Sequence, residues 1–153
     1  MIEDAEPIRL EQVSKRFGSF RVLDEVSIAV PRGQATVILG RSGTGKSVML
    51  KHIVGLLAPD AGRVIVQGAD LTGLSPSSMA VVRRQVGFLF QNAALFDSMT
   101  VGDNVSFPLH RHTYLSEDAI RAKAEEKLAL VGLARDYDKM PAALSGGMRK
   151  RAG

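Results

Sequence analysis

Eight consecutive residues, GRSGTGKS at Gly40–Ser47, combine three glycines with a lysine and a serine. They match the pattern G-x-x-x-x-G-K-[ST], in which main-chain amides converge on phosphate oxygens where a loop enters a helix. The lysine ammonium can reach the outer phosphates, and the serine hydroxyl can complete a Mg²⁺ shell. The stretch predicts a site for a nucleotide and its magnesium ion, formed by Gly40, Ser42, Gly43, Thr44, Gly45, Lys46 and Ser47. The alternative is a glycine-rich turn that contains an unrelated lysine.

A second glycine-rich stretch, LSGGM, occupies Leu144–Met148. Ser145 is suited to cap a helix, and the glycines at 146 and 147 leave the first amides of that helix exposed. The hydroxyl of Ser145 and the amides near Gly146 and Gly147 could therefore bind a second phosphate group. A plain N-cap followed by a flexible turn is the alternative interpretation.

Two isolated residues could complete a nucleotide site. Phe17, in VSKRFG, offers a flat apolar surface on which an adenine ring could stack, although a phenylalanine at this place could equally belong to the core. Gln91 follows the apolar run GFLF, and its amide can accept from a metal-bound water and donate to a phosphate. A solvent-exposed glutamine without a ligand is the alternative for Gln91.

The composition is that of a globular α/β domain with no transmembrane segment. The chain has 153 residues, is 45% hydrophobic, has a formal net charge of +4 and contains no cysteine. No apolar run approaches the roughly 20 residues that a spanning helix requires. The acidic N-terminus does not resemble a secretory signal. If the protein acts at a membrane, we expect it to do so from the aqueous side.

The elements needed to position these residues can be read from apolar spacing and turn signals. Predicted strands are Ile8–Val13, Val22–Val30, Ala35–Leu39, Arg63–Gln67 and Val86–Phe90. Predicted helices run from Gly45 to about Leu57, from Ser75-Pro76 to about Arg84, and from Ser116 to a stop at Gly132. The last of these carries a buried face (Ile120, Ala124, Leu128 and Val131) and a pair between Glu117 and Arg121. This alternation predicts an α/β domain with an antiparallel edge.

In this order and at these separations, the four stretches resemble the nucleotide-binding subunit of ATP-binding cassette (ABC) transporters. The resemblance implies a P-loop NTPase fold with a parallel core sheet, an antiparallel β edge subdomain and a helical subdomain. Residues up to about 90 would form the core, and residues 91–150 the glutamine loop and the helical subdomain.

The resemblance also assigns a role to each candidate residue. It implies that Phe17 stacks on the adenine of ATP, that Gly40–Ser47 holds the phosphates, and that Ser47 and Gln91 serve the Mg²⁺ ion. Ser145–Gly147 would be the signature that caps the ATP of a second copy in a head-to-tail homodimer. Gln91 and the segment Leu95–Leu109 would contact a transmembrane permease subunit, which places the protein peripherally on the cytoplasmic face of the inner membrane.

A narrower resemblance concerns FLFQNAALFDSMTVGDNVSFPLHRHTYLSEDAI and LSGGMRKRAG, which are similar to ATPases of the lipid-transport branch associated with MCE-domain proteins. It implies a phospholipid or related substrate and an MCE-domain lipid-binding partner. Three alternatives remain: an importer subunit for another substrate class, a DNA-repair or chromosome-associated ATPase of the ABC superfamily, and a non-catalytic module that binds nucleotide as a structural ligand.

The family pattern continues beyond LSGG with a strand that ends in a magnesium-supporting aspartate, a catalytic glutamate and a switch histidine, none of which occurs in this sequence. We therefore expect a truncated ATPase that binds ATP weakly and lacks turnover. Asp136 and Asp138 are predicted to be solvated loop charges rather than substitutes. We expect no metal site at His52, His110 or His112, and no nucleic-acid partner for the basic run Arg149–Arg151.

Overall fold

A computed structural model describes residues 5–153, which form two compact units divided between Phe88 and Leu89. The first unit contains β1 (Ile8–Phe17), β2 (Phe20–Val30), α1 (Lys46–Ile53), β3 (Ala61–Val66), β4 (Ala69–Asp70) and α2 (Pro76–Arg83). The second contains α3 (Val101–His112), α4 (Glu117–Leu130), a short 3₁₀ turn (Pro141–Ala143) and α5 (Gly146–Ala152). None of the helices in residues 5–153 is long and apolar enough to cross a membrane.

The first unit is built on an antiparallel sheet with the strand order β2-β1-β3-β4. Val64 and Val66 are alternate residues of β3 and lie on one face of the sheet. In β1 the register shifts between Leu10 and Val13, where Gln12 has a φ of 50°, and both of these residues are buried in the same cluster as Val64 and Val66. Helix α1 covers this face with Met49 and Ile53, and apolar residues of β2 and α2 complete the same cluster. The antiparallel edge that the sequence predicted is thereby confirmed.

Helix α1 ends at Ile53, four residues before the predicted boundary at Leu57. The reason is Gly55, which has a φ of 66° and reverses the chain. The Gly55 amide donates to the His52 carbonyl (2.9 Å) and the Leu56 amide to the Lys51 carbonyl (2.8 Å), a pairing that closes many helices. The Arg83 guanidinium of α2 donates to the carbonyls of Val54 (3.0 Å) and Gly55 (2.6 Å), and these hydrogen bonds join α2 to the end of α1.

Two predicted strands are wrong for this structure. Residues 35–39 and 86–90 are irregular, and neither segment pairs with any strand of residues 5–153. Val37 and Leu39 are 76% and 88% exposed, which is the opposite of the predicted burial. Both segments have the apolar composition of a buried strand, but a strand also requires a neighbouring backbone for its hydrogen bonds.

The second unit is helical, and its core contains Val101, Leu128, Leu133 and Leu144. The predicted apolar face of α4 is confirmed for Ile120, Ala124 and Leu128, which are buried, whereas Val131 lies just beyond the helix and is only partly buried. The predicted stop at Gly132 is also confirmed, because α4 ends at Leu130 and Gly132 has a φ of 72°.

Two electrostatic predictions in this unit were wrong. Arg121 does not pair with Glu117. Its guanidinium lies 2.8 Å from the carboxylate of Glu125 and 4.3 Å from the centre of the Tyr137 ring. Asp136, predicted to be solvated, is 8% exposed and its carboxylate lies 2.6 Å from the Lys139 ammonium. Glu125 lies one turn further along α4 and Lys139 lies three residues after Asp136, whereas the fold of residues 131–140 brings the Tyr137 ring to Arg121.

Candidate functional site

The loop at Gly40–Ser47 is curled and closed by its own lysine. The Lys46 ammonium donates to the carbonyl oxygens of Gly40 (2.7 Å) and Arg41 (2.6 Å). The Thr44 hydroxyl donates to the Arg41 carbonyl at 2.9 Å. Gly43 and Gly45 have φ angles of 81° and 90°, which only glycine adopts without strain. This is the bent geometry, ahead of a helix, that an anion-binding loop requires.

The helix that follows the loop has an uncapped N-terminus. Gly45 precedes α1 and provides no side-chain hydrogen bond to it. By contrast, each of the other α-helices in residues 5–153 begins with a capping side chain that accepts from a first-turn amide: Ser75, Thr100, Ser116 and Ser145. The first amides of α1 therefore remain available to a ligand, and the helix dipole makes an anion the favoured one.

The residues of the loop fit a phosphate group and a magnesium ion. A Cβ atom on Gly40 would lie 2.8 Å from the Thr44 hydroxyl oxygen, so the loop has no room for a side chain there. Ser47, in the first turn of α1, is exposed and its hydroxyl can reach a cation held beside the phosphates. Lys46 supplies the positive charge. The assignment of these residues to ATP and Mg²⁺ remains a prediction.

Phe17 is the last residue of β1 rather than part of a connection between strands, as the sequence had suggested. Its ring is 48% exposed, so it is not a core residue and can offer a surface to a planar ligand. Phe20 lies directly opposite Phe17 in the β1–β2 ladder and is 65% exposed. Sequence reasoning missed Phe20, although the two residues between the phenylalanines, Gly18 and Ser19, are a hairpin signal.

Phe17 is held by neighbours in the same unit. The carboxylate of Asp60 accepts from the Lys15 ammonium (2.7 Å) and from the Arg16 amide (2.7 Å). These two hydrogen bonds, the side-chain one first, lower the pKa of Asp60 below its usual value of 3.8. The Lys15 ammonium also lies 5.8 Å from the centre of the Phe17 ring. Asp60 was not singled out from the sequence, because its partners are more than forty residues away.

Gln91 belongs to the second unit and is exposed in a turn. The chain after it is ordered by Asn104, whose side chain accepts from the Phe96 amide (2.7 Å) and donates to the Phe96 carbonyl (3.1 Å). The rings of Phe96 and Phe107 lie 5.1 Å apart and are 50% and 38% exposed, respectively. The segment Leu95–Leu109 thus presents an aromatic pair on a well-defined surface. The roles of Gln91 in magnesium binding and coupling remain predictions.

Ser145 caps α5, because its side-chain oxygen accepts from the Met148 amide at 3.2 Å. Gly146 and Gly147 are exposed, so the start of this helix is accessible to another molecule. Two residues of the basic run are used within the unit. Arg149 donates to the Leu144 carbonyl (2.7 Å) and Arg151 to the Val131 carbonyl (3.0 Å). Ser145, Gly146 and Gly147 remain a predicted phosphate site.

The three histidines are dispersed. His52 is 1% exposed within α1, where Nδ1 lies 2.7 Å from the Val48 carbonyl and Nε2 has no partner among the described residues. His110 lies 3.6 Å from the carboxylate of Glu117. No group of three or more possible metal ligands of the His, Cys, Asp or Glu type occurs within residues 5–153.

A family model described as "ABC transporter" matches residues 23–153. The "Probable ribonucleotide transport ATP-binding protein mkl" of Mycobacterium bovis is 48% identical over 146 residues, which cover 95% of this chain and 41% of that protein. The "Sulfate/thiosulfate import ATP-binding protein CysA" of Bordetella bronchiseptica is 48% identical over 147 residues, covering 94% of this chain and 40% of that protein.

A solved structure is similar as well. It is the dimeric post-hydrolysis state of the ATP-binding cassette MJ0796 bound to ADP and Pi, with a TM-score of 0.87 and 31% identity. The match covers 95% of this chain and 66% of that one. This likeness confirms the predicted P-loop fold class. The chain spans about two fifths of the length of the curated relatives that it matches.

Proposed function

The chain belongs to the ABC transporter family, and from this premise we propose that it carries the ATP-binding site of a subunit that powers transport across a membrane. The observation that supports this most directly is the curled loop Gly40–Ser47 ahead of the uncapped helix α1, with the Lys46 ammonium inside the curve of the loop. When ATP binds, Lys46 exchanges the carbonyls of Gly40 and Arg41 for phosphate oxygens, and the first amides of α1 donate to the same phosphates. Ser47 is the residue that would hold Mg²⁺, together with Gln91.

The base of the nucleotide is proposed to stack on Phe17. This is supported by the position of Phe17 at the end of β1 and by its half-exposed ring, both in the same unit as the phosphate loop. An aromatic contact of this kind contributes about 0.5–1.5 kcal/mol. The phosphates therefore supply most of the affinity, and the aromatic ring supplies part of the preference for a nucleotide over free polyphosphate.

A second copy is proposed as the partner at Ser145–Gly147. One chain presents two exposed phosphate-binding features, so a head-to-tail pair can hold two ATP molecules between the loop of one copy and the signature of the other. Turnover is proposed only for proteins of the full length of the relatives, and the 153-residue chain is expected to bind ATP with little hydrolysis. Phosphate release at the rate of an ordinary ABC subunit would contradict this expectation.

The segment after Gln91 is proposed to contact a transmembrane permease subunit at the cytoplasmic face of the inner membrane. The apolar surface that supports this role is the exposed pair of Phe96, on a loop bound by Asn104, and Phe107, on α3. A phospholipid or related substrate, with an MCE-domain partner, is the narrower proposal and rests on the resemblance of residues 88–120 and 144–153. An importer of another solute is the alternative, supported by the names of the mycobacterial and Bordetella relatives.

The test is calorimetric titration of the 153-residue chain with MgATP. Lys46→Met should abolish measurable binding, because the phosphate charge then loses its cationic partner. Lys51→Met is the matched control, since Lys51 is an exposed lysine on the same helix outside the loop. If the two variants bound MgATP equally well, the proposed function would be wrong.

A further inference from the structure

A pair of charged side chains ties the tip of the β1–β2 hairpin to the segment between α1 and β3. We call this pair, Lys15 and Asp60, the hairpin clamp. Asp60 accepts from the Lys15 ammonium with one oxygen (2.7 Å) and from the Arg16 amide with the other (2.7 Å). Lys15 also donates to the Ala58 carbonyl (2.8 Å).

The main chain of Asp60 is hydrogen-bonded to β1 as well. The Asp60 amide donates to the Ser14 carbonyl at 2.9 Å. The main chain and side chain of Asp60 are therefore hydrogen-bonded to three successive residues of β1: Ser14, Lys15 and Arg16. The Lys15 side chain is only 15% exposed, whereas the carboxylate side of the pair is 48% exposed. Because the Lys15 ammonium and the amide of the next residue, Arg16, are both hydrogen-bonded to Asp60, the Lys15 side chain has little freedom to move.

The hydrogen bonds of the hairpin clamp extend as far as Arg16, the residue before Phe17. The Arg16 amide bound by Asp60 directly precedes Phe17, and the Lys15 ammonium lies 5.8 Å from the centre of the Phe17 ring. Phe17 is the last residue of β1 and is followed at once by the turn at Gly18, so the ladder restrains it on one side only. The clamp therefore supplies the restraint that the strand end lacks.

We propose that Asp60 and Lys15 are positioning residues for Phe17, and that they set how strongly the site prefers a ligand with a base over one with phosphates alone. This inference rests on the proposed function, because it assumes that Phe17 stacks on the base of a nucleotide. The hydrogen bonds of the clamp reach Ser14, Arg16 and Ala58, none of which belongs to the phosphate loop. Loss of the clamp should therefore weaken the binding of the base and leave the binding of the phosphates unchanged.

The experiment compares two probes on the same proteins: MgATP, and magnesium tripolyphosphate, which has the phosphates without a base. Calorimetric affinities are measured for the wild-type chain, Asp60→Ala, Phe17→Ala and the double variant. We expect Asp60→Ala to weaken MgATP by roughly five- to tenfold and to leave tripolyphosphate within about twofold. In the Phe17→Ala background, Asp60→Ala should cause no further loss.

Asp24→Ala is the matched control, since Asp24 pairs with Arg21 (2.5 Å) on the same hairpin without contacting Phe17. It should bind both probes like the wild type. Lys15→Met is a second route to the same result if Asp60→Ala folds poorly, because the lysine stem is kept and only the ammonium is lost. Unchanged tripolyphosphate binding shows in each variant that the unit is folded.

Three results would overturn the inference. The first is that Asp60→Ala and Lys15→Met weaken the binding of both probes equally, and the second is that the losses from Asp60→Ala and Phe17→Ala multiply in the double variant. If the wild-type chain bound tripolyphosphate and ATP with the same affinity, the stacking role of Phe17 would fail and the inference with it. If it bound neither probe, the proposed function itself would be wrong.

Discussion

Gly45 lies directly against the main chain of Val22: a Cβ atom at position 45 would be 2.9 Å from the Val22 carbonyl oxygen. The same atom would be 3.0 Å from the Leu23 side chain. Gly45 is the residue that precedes α1, so this contact places the start of the phosphate-loop helix against strand β2. The glycine at this position is thus required by the packing of helix on sheet as well as by the loop.

The first prediction compares two glycines of the loop. Gly43 and Gly45 have similar φ angles, 81° and 90°, but a Cβ on Gly43 would meet nothing within 4 Å. Gly43→Ala should lower the free energy of unfolding by about 1–2 kcal/mol through backbone strain alone. Gly45→Ala should cost about 1–3 kcal/mol more, because the overlap with β2 is added. Urea denaturation measures both values, and equal losses would show that the contact with Val22 is not rigid.

The second prediction concerns the pH dependence of stability. The Lys15 ammonium and the Arg16 amide lower the pKa of Asp60 in the folded chain, relative to 3.8 in the unfolded chain. The contribution of Asp60 to stability is therefore fully present above about pH 3.8 and is lost as the pH falls towards the lower folded pKa. Asp60→Asn should flatten this acid limb of the unfolding free energy. Urea titrations between pH 3 and pH 5 test it, and an unchanged acid limb would contradict it.

The third prediction separates the two roles of Ser145. Asp is as good an N-cap as Ser and is favoured near a helix N-terminus, so Ser145→Asp should leave stability within about 0.5 kcal/mol of the wild type. The added carboxylate would, however, repel the phosphates of an ATP molecule held by a second copy. Sedimentation with MgATP should show association of the wild-type chain and its loss in Ser145→Asp.

The control for this experiment is Ser116→Ala, which removes the cap of α4. It should cost about 1 kcal/mol of stability and leave ATP-dependent association intact. If Ser145→Asp associated as well as the wild type, Ser145–Gly147 would not face a nucleotide of the partner.

The fourth prediction uses two glycines at equivalent positions of different helices. Gly102 is the second residue of α3 and Gly147 the second residue of α5. A Cβ on Gly102 would overlap the Tyr137 ring, whereas on Gly147 it would reach only the end of Arg151, 4.0 Å away. Gly102→Ala should lower the stability of the second unit by about 1–3 kcal/mol, and Gly147→Ala should be neutral or slightly stabilising. Thermal denaturation distinguishes the two, and similar melting temperatures would contradict the overlap.

Several features of the fold were predictable because their causes are local. The caps at Ser75 and Ser116 and the stop at Gly132 depend on residues within one helical turn. The curl of Gly40–Ser47 belongs to the same class. Its lysine donates to main-chain carbonyls at most six residues away, so the pattern carries most of the information needed for the curl.

Other features depended on contacts that no short pattern contains. The apolar segments at 35–39 and 86–90 look like strands, but strand formation depends on a neighbouring backbone and neither segment has one in residues 5–153. The burial of Asp136 depends on the packing around it, although its partner Lys139 lies only three residues away. The partner of Asp60 lies 45 residues away, at Lys15.

The sequence alone predicted a phosphate loop at Gly40–Ser47, the helices α1, α2, α4 and α5, and the family that the chain resembles, since those properties follow from residue types at short fixed spacings. It did not predict α3, although Thr100 and Asp103 form a capping box at the start of that helix. The tertiary structure decided which residues support the site: the contact of Gly45 with Val22, the exposure of Phe17 beside Phe20, and the clamp formed by Lys15 and Asp60. The physical reason is that hydrogen bonds and steric contacts act over a few ångströms in space, and residues that meet at that distance can be far apart along the chain.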